Sequence, residues 1–242
     1  MDKKINIGEL ISIGWNSTLK NFPYLLGLMG IVVGANIVFG IGSEFFKKAG
    51  FFPLLGYNIL IAAIGIVIGL GLKKITISLI DGKKEAYSAL YSHYNLIIRY
   101  FVANLLYSLI VALPIAIPLC LWLGSKFASS IFGKTPIATL NIAFILLGLA
   151  GLVFSILLYL KFMFFSYYIV DKNSDIIESL KLSNEVTKGE KMSLFLLSLI
   201  LGLVNIAGAL ALGIGLLITI PLTMLAMAAA YRRLSPINQS IQ

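Results

Sequence analysis

Residues Met192–Tyr231 read MSLFLLSLILGLVNIAGALALGIGLLITIPLTMLAMAAAY, a stretch with no Asp, Glu, Lys, Arg or His. A helix rises 1.5 Å per residue, so ~20 apolar residues cross a ~30 Å hydrocarbon core. The stretch is therefore long enough for two spans. Its turn is placed near Gly208 to Gly213, where glycine is dense. Working outward, four more apolar segments stand at Phe22–Gly42, Phe51–Leu72, Leu96–Leu123 and Ile137–Phe165. Lipid cannot satisfy free backbone groups, so such spans must be helices. The short alternating segments of a membrane barrel are absent. The expected fold class is all-α, an integral membrane protein with about six transmembrane helices. Residues 1–242 form a single membrane domain, with a short polar tail at 236–242.

Composition agrees. The chain is 59% hydrophobic and 12% charged, against roughly 25% charged residues in a soluble domain. That leaves too little polar surface to face water on all sides. The net charge of +9 sits between the apolar runs. The positive-inside rule and anionic headgroups explain it better than nucleic acid does. With the N-terminus inside, 19 Lys and Arg divide unevenly, and only Lys47, Lys48, Lys126 and Lys134 fall outside. Both termini are thus expected on the cytoplasmic face of the cell membrane. The first ten residues are amphipathic and lack the apolar core of a secretory signal, so no cleavage is expected. Cys120 is the one cysteine, in an apolar run, which excludes a disulfide framework or a thiolate metal site.

The inner linkers carry a pattern. Glu9, Glu85 and Glu178 align, each three residues after an N-cap candidate: Asn6, Gly82 and Asp175. This is capping-box spacing, weakest at Gly82, which has no side-chain oxygen. Three short amphipathic cytoplasmic-side helices are expected to follow. In the first, Glu9, Ser12, Asn16 and Lys20 share a wet face. In the second, Ala86, Leu90, Tyr94 and Ile97 make an apolar stripe. In the third, Glu178, Lys181, Glu185 and Lys188 alternate in sign at spacings suited to pairing along the helix. The unit is read as an interfacial helix plus a transmembrane hairpin, repeated three times over residues 1–80, 81–173 and 174–235. Asn36 and Asn205 fall at one repeat position, where the second copy has Ala112.

The residues that could carry chemistry are few. No Asp or Glu lies inside an expected span, which argues against a proton relay through this chain. His93 is the one histidine, and a lone histidine in a linker is more often a surface residue than a base or ligand. HExxH, a pair of span carboxylates, GxSxG and nucleotide-binding signatures are all absent. No enzyme activity, cofactor or metal is expected. Asn36, Asn104 and Asn205, with Asn58 and Asn141, are polar positions at membrane depth. Such side chains bond between helices at on the order of 1 kcal/mol, or else line a polar cavity. Gly65 and Gly69 form a GxxxG pair that permits close helix approach. Pro114, Pro118 and Pro221 free backbone carbonyls within spans.

Further residues carry a resemblance. Tyr168-Ile169-Val170-Asp171, Ser179-Leu180, Ser183 and Thr187-Lys188-Gly189 lead into a span pair with Gly213, Gly215 and Pro221, ending Ala230-Tyr231-Arg232-Arg233-Leu234. Gly8-Glu9 and Gly14-Trp15 fit the same pattern. The stretch resembles a broad group of bacterial and archaeal multi-pass proteins that includes the membrane domain of some glycerophosphoryl diester phosphodiesterases. The resemblance is best from Tyr168 to Leu234. Residues Leu113 to Pro118 depart from it, standing where such proteins often have a Pro-Gly turn. It implies a helical membrane fold. It does not imply the phosphodiesterase reaction, as no soluble catalytic domain follows before Gln242.

The expected function is a non-catalytic multi-pass protein of the cytoplasmic membrane, serving envelope or lipid organisation or acting as a complex subunit. Its partners are anionic lipid headgroups, with a protein partner or a second copy of the chain, and not nucleic acid. The headgroup contacts are Lys83, Lys84, Arg99, Lys181, Lys188 and Lys191. The alternative is a permease-like subunit passing a small or lipidic solute, for which Asn36, Asn104 and Asn205 would line the path.

Overall fold

A computed structural model of the chain describes residues 5–132, 137–211 and 213–235. Lys3, Lys4, Lys134 and the 236–242 tail lie outside the described residues. The described chain is all-helical. Short α1 (Ile7–Lys20) is followed by long α2 (Phe22–Ala49) and α3 (Phe51–Ile80). Two single 3-10 turns precede α4 (Ile97–Phe132) and α5 (Ile137–Phe162). Short α6 (Phe165–Lys172) and α7 (Ile176–Thr187) then lead to α8 (Lys191–Leu210) and α9 (Leu216–Leu234). Among the described residues, 6 helices are long and apolar enough to cross a membrane. Their middles expose Ile, Leu, Val and Phe, which a bilayer covers and water would not. The chain is a multi-pass membrane protein.

The caps explain where two short helices begin. The Glu9 N–H donates to Asn6 Oδ1 at 3.2 Å. At α7 both halves of a capping box form: the Asp175 side chain caps the first turn, and the Asp175 N–H donates to Glu178 Oε2 at 3.2 Å. Gly50 separates α2 from α3 at φ +111°, which a side chain would strain.

The second copy differs from expectation. In place of an amphipathic helix, the chain forms 3-10 turns at Tyr87–Leu90 and Tyr94–Leu96. Gly82 supplies no cap and turns the chain at φ +77°, while Glu85 accepts from Ser78 Oγ at 2.9 Å rather than reaching back. The turns are pinned instead by α3. A Cβ on Gly71 would stand 2.3 Å from the Leu90 carbonyl oxygen, so only glycine allows this approach. Gly65 and Gly69, expected to provide close contact, face nothing within 4 Å. The contact glycine of α3 is Gly71, two residues further along, where the chain has a neighbour to meet.

Span four also ends differently. It stops at Phe162 rather than Phe165, because α7 side chains replace its last helical bonds. Ser183 and Thr187 hydroxyls each donate to the Lys161 carbonyl at 3.2 Å, and the Phe164 N–H donates to Ser183 Oγ at 3.1 Å. Asn173, at φ 52°, then turns the chain from α6 into α7. The α8–α9 turn lies close to its expected place, with Gly213 at φ +77°. Gly208 is instead the crossing point, where a Cβ would meet Thr219 Oγ1 at 2.5 Å. In α4, Pro118 cannot bond the Pro114 carbonyl, and Gly151 of α5 packs directly on that oxygen.

The buried core is one-sided. Fully buried Phe164, Tyr168, Tyr231, Leu194, Leu197 and Leu225 all lie toward the end where the short helices gather. There α1 packs along α9, its Gly14 against the Leu222 carbonyl and Ala226. Leu10, Gly14 and Thr18 of α1 are buried while Ser12, Asn16 and Lys20 are exposed.

Candidate functional site

The short-helix end of the bundle concentrates the charged groups. At its centre stands Arg232, in the last turn of α9. Its Nε and Nη2 donate to Asp81 at 2.8 and 2.6 Å. Its Nη1 and Nη2 donate to Asp171 at 2.5 and 2.9 Å. Arg232, Asp81 and Asp171 are only 14%, 20% and 11% exposed. Asp81 closes α3 and Asp171 lies in α6, so one guanidinium ties together three helices far apart in sequence. The planar fork of Arg suits this double bidentate arrangement. Asp171 also accepts from Tyr231 Oη at 2.9 Å. Tyr231 in turn stacks on Tyr167 and meets Tyr168 edge-on, both at 5.2 Å between ring centroids. The ion network thus rests on an aromatic layer.

Two carboxylates sharing one guanidinium leave the node with one excess negative charge. Around it a cavity of about 320 Å³ is lined further by Lys74, Lys83 and Lys172, with Ser78 and Glu85. These lysines offset the excess. Arg233 makes a separate pair with Glu9 at 3.2 Å, which brings the first and last described helices together.

The expected headgroup residues divide into two sets. Arg99 is engaged: it donates to the Asn173 carbonyl and side chain at 2.8 Å each, and stands 3.6 Å from Asp175. It braces the α6–α7 corner. Lys83, Lys84, Lys181 and Lys188 are exposed and Lys191 is half-buried. Among the described residues, none of these five has a carboxylate within 4.0 Å. The expected pairs along α7 between Glu178, Lys181, Glu185 and Lys188 are not made. Lys84 lies instead over the Tyr24 ring at 4.9 Å.

The asparagines do not come together. Asn36 is exposed and donates to the Val32 carbonyl of its own helix at 2.8 Å. Asn104 is exposed on α4. Asn205 donates to Thr223 Oγ1 at 3.0 Å, across α8 and α9, and its Oδ1 is buried without a partner. Asn141 accepts from Trp122 Nε1 at 3.1 Å, between α5 and α4. Asn36 and Asn205, expected to occupy equivalent positions of a repeat, thus play different roles. His93 Nδ1 lies 2.8 Å from Ser92 Oγ, its neighbour in the chain, and that hydroxyl also bonds the Ala89 carbonyl at 3.1 Å. Among the described residues no group of three His, Cys, Asp or Glu is placed to hold a metal.

Compared with known proteins, the chain matches no family, no curated protein and no solved structure. The site is therefore read from its own chemistry.

The Arg232 node is the feature that reasoning along the sequence missed. A signal was present: Asp81, Asp171 and Arg232 each stand where the second long segment of a hairpin gives way to a linker. Equivalent ends of three hairpins, two anionic and one cationic, can meet only if the hairpins converge.

Proposed function

We propose that the chain is a non-catalytic multi-pass protein of the cytoplasmic membrane that holds anionic lipid at its lysine-rich end. The observation that carries this reading is the contrast within that end. The arginines Arg99, Arg232 and Arg233 are consumed by carboxylates, while Lys83, Lys84, Lys181, Lys188 and Lys191 are left without one among the described residues. Each lysine near an anionic membrane surface contributes about 1 kcal/mol of attraction. The arginines serve the fold and the lysines serve the surface. Contact between Glu9 and Arg233 supports a common side for both described ends, and the bias of positive charge supports the cytoplasm as that side. Two of the three proposed repeat units keep a capped short helix before a hairpin, at α1–α3 and α7–α9. The resemblance from Tyr168 to Leu234 fits the same reading, since those residues build the lysine-bearing corner and the last hairpin.

The test is full-length protein reconstituted in phosphatidylcholine, with or without phosphatidylglycerol. Anionic lipid should raise the melting temperature, and added salt should erase the gain. Equal stability in both lipids at low salt would end the reading. A second reading, a permease-like subunit, is favoured by three buried polar atoms without partners in α8 and α9: Ser198 Oγ, Asn205 Oδ1 and Thr219 Oγ1. Solute flux abolished by Asn205→Leu in a folded protein would select it.

A further inference from the structure

The α5–α8 boundary contains an open groove of about 390 Å³. Val153, Ile156, Leu157 and Leu160 form one wall, and Met192 and Phe195 the other, with Lys191 at one end. The groove walls are wholly apolar apart from that lysine. The opposite face of α8 is spoken for, as Leu194, Leu197 and Leu201 are buried in the core. Val153 and Met192 remain 59% and 70% exposed, so the groove is open along its length.

Three lysines stand on backbone that meets near the Lys191 end. The Lys161 carbonyl accepts from Ser183 and Thr187, which fixes the end of α5 against the end of α7. Lys188 follows Thr187 directly, and Lys191 opens α8. Among the described residues, none of Lys161, Lys188 and Lys191 has a carboxylate within 4.0 Å. The carboxylates nearest in the chain are accounted for. Glu190 Oε2 accepts from the Ile5 N–H at 3.4 Å, and Glu185 is exposed on α7. The Lys161 ammonium lies over the Phe162 ring at 5.0 Å.

We propose that this groove seats one acyl chain of an anionic glycerophospholipid whose phosphate is held by Lys161, Lys188 and Lys191. The inference deepens the lipid-holding reading above and rests on it. From Leu160 to Val153 a helix rises about 10 Å, which carries a chain from the headgroup level toward the middle of a ~30 Å core. A chain entering from the lysine end therefore belongs to the leaflet on that side. Charge complementarity argues against a second copy of the protein in the groove, because its own three lysines would be brought alongside these.

The experiment is native mass spectrometry of the full-length protein in detergent, titrated with phosphatidylglycerol or phosphatidylcholine. The expected result is a retained phosphatidylglycerol adduct and a weaker phosphatidylcholine one. The triple variant K161Q/K188Q/K191Q should lose affinity for phosphatidylglycerol by about 100-fold, about 5-fold per lysine. The matching K161R/K188R/K191R variant should retain it. Leu157→Trp, which fills the groove, should lose the adduct at an unchanged melting temperature. If that variant fails to fold, the charge variants decide, since they leave the groove walls untouched. Retention by the glutamine triple, with loss in K83Q/K84Q, overturns this seat and leaves the lysine-rich surface standing. Equal binding of both lipids by every form overturns the seat and the lipid-holding reading together. A dimer that occupies the groove in place of lipid also overturns the seat.

Discussion

Replacing Arg232 by Leu would strand two carboxylates at once. Arg232 makes four hydrogen bonds to Asp81 and Asp171, and all three side chains are at most 20% exposed. Breaking a buried pair by removing one partner costs ~3–5 kcal/mol, because the remaining charge is left uncompensated. Residual exposure and the neighbouring Lys74, Lys83 and Lys172 soften the loss, so a value of about 3 kcal/mol is expected for Arg232→Leu. The same reasoning makes a second demand. Replacing the whole node by a neutral set, R232L/D81N/D171N, removes the stranded charge as well, and it should recover stability to within about 1 kcal/mol of the parent. The assay is unfolding of the full-length protein in detergent micelles, with Arg232→Leu, the two Asp→Asn singles and the triple measured together. If the triple is as unstable as Arg232→Leu, the node does not act through charge compensation and this account of how α3, α6 and α9 are joined fails.

Five further outcomes follow from single contacts. Gly71→Val should displace the segment between Asp81 and Ile97 from α3, because its Cβ would meet Leu90 backbone atoms at 2.3 to 2.6 Å; a cost of about 1–3 kcal/mol and faster proteolysis within that segment are expected, and unchanged cleavage would contradict the contact. Asp175→Ala removes one half of the α7 capping box and should cost about 1 kcal/mol in unfolding, whereas Glu9→Gln should leave the Asn6 cap intact and weaken only the exposed pair with Arg233, by under about 1 kcal/mol. Asn36→Leu should fall within about 0.5 kcal/mol of the parent, since Asn36 bonds only its own helix in an exposed position; Asn205→Leu should stay within about 1 kcal/mol, the lost bond to Thr223 being offset by removal of an unpartnered buried oxygen.

Six helices were legible because hydrophobic length is a local property. Any window through Phe22–Gly42 or Met192–Tyr231 carries the signal by itself. Helix ends were less legible because other parts of the chain decide them. The break after Phe162 is made by hydroxyls on Ser183 and Thr187, about twenty residues onward. The Asn6 and Asp175 caps were read correctly, since cap and recipient are three residues apart. The Gly82 copy failed where its missing side-chain oxygen was already visible. Gly65 and Gly69 had the spacing for close contact, but spacing does not supply a neighbour, and Gly71 has one.

The charged site was illegible for a related reason. Arg232 lies 151 residues from Asp81 and 61 from Asp171. Nothing in the local sequence of any of them distinguishes a structural ion from a headgroup contact. Read singly, each is a charge near the end of a span, the ordinary place for a snorkelling side chain. Only convergence of the hairpins makes them partners, and that convergence requires desolvation. Arginine tolerates it with a planar, weakly hydrated fork that fills two carboxylates at once, while the compact, strongly hydrated lysine ammonium is better left in water or at phosphate. The division seen here follows from that difference. The guanidinium of Arg232 is buried as an internal brace, and Lys83, Lys84, Lys181 and Lys188 stay exposed. Exchanging Arg232 for Lys should therefore disrupt the fold far more than exchanging Lys181 for Arg, although both swaps conserve charge.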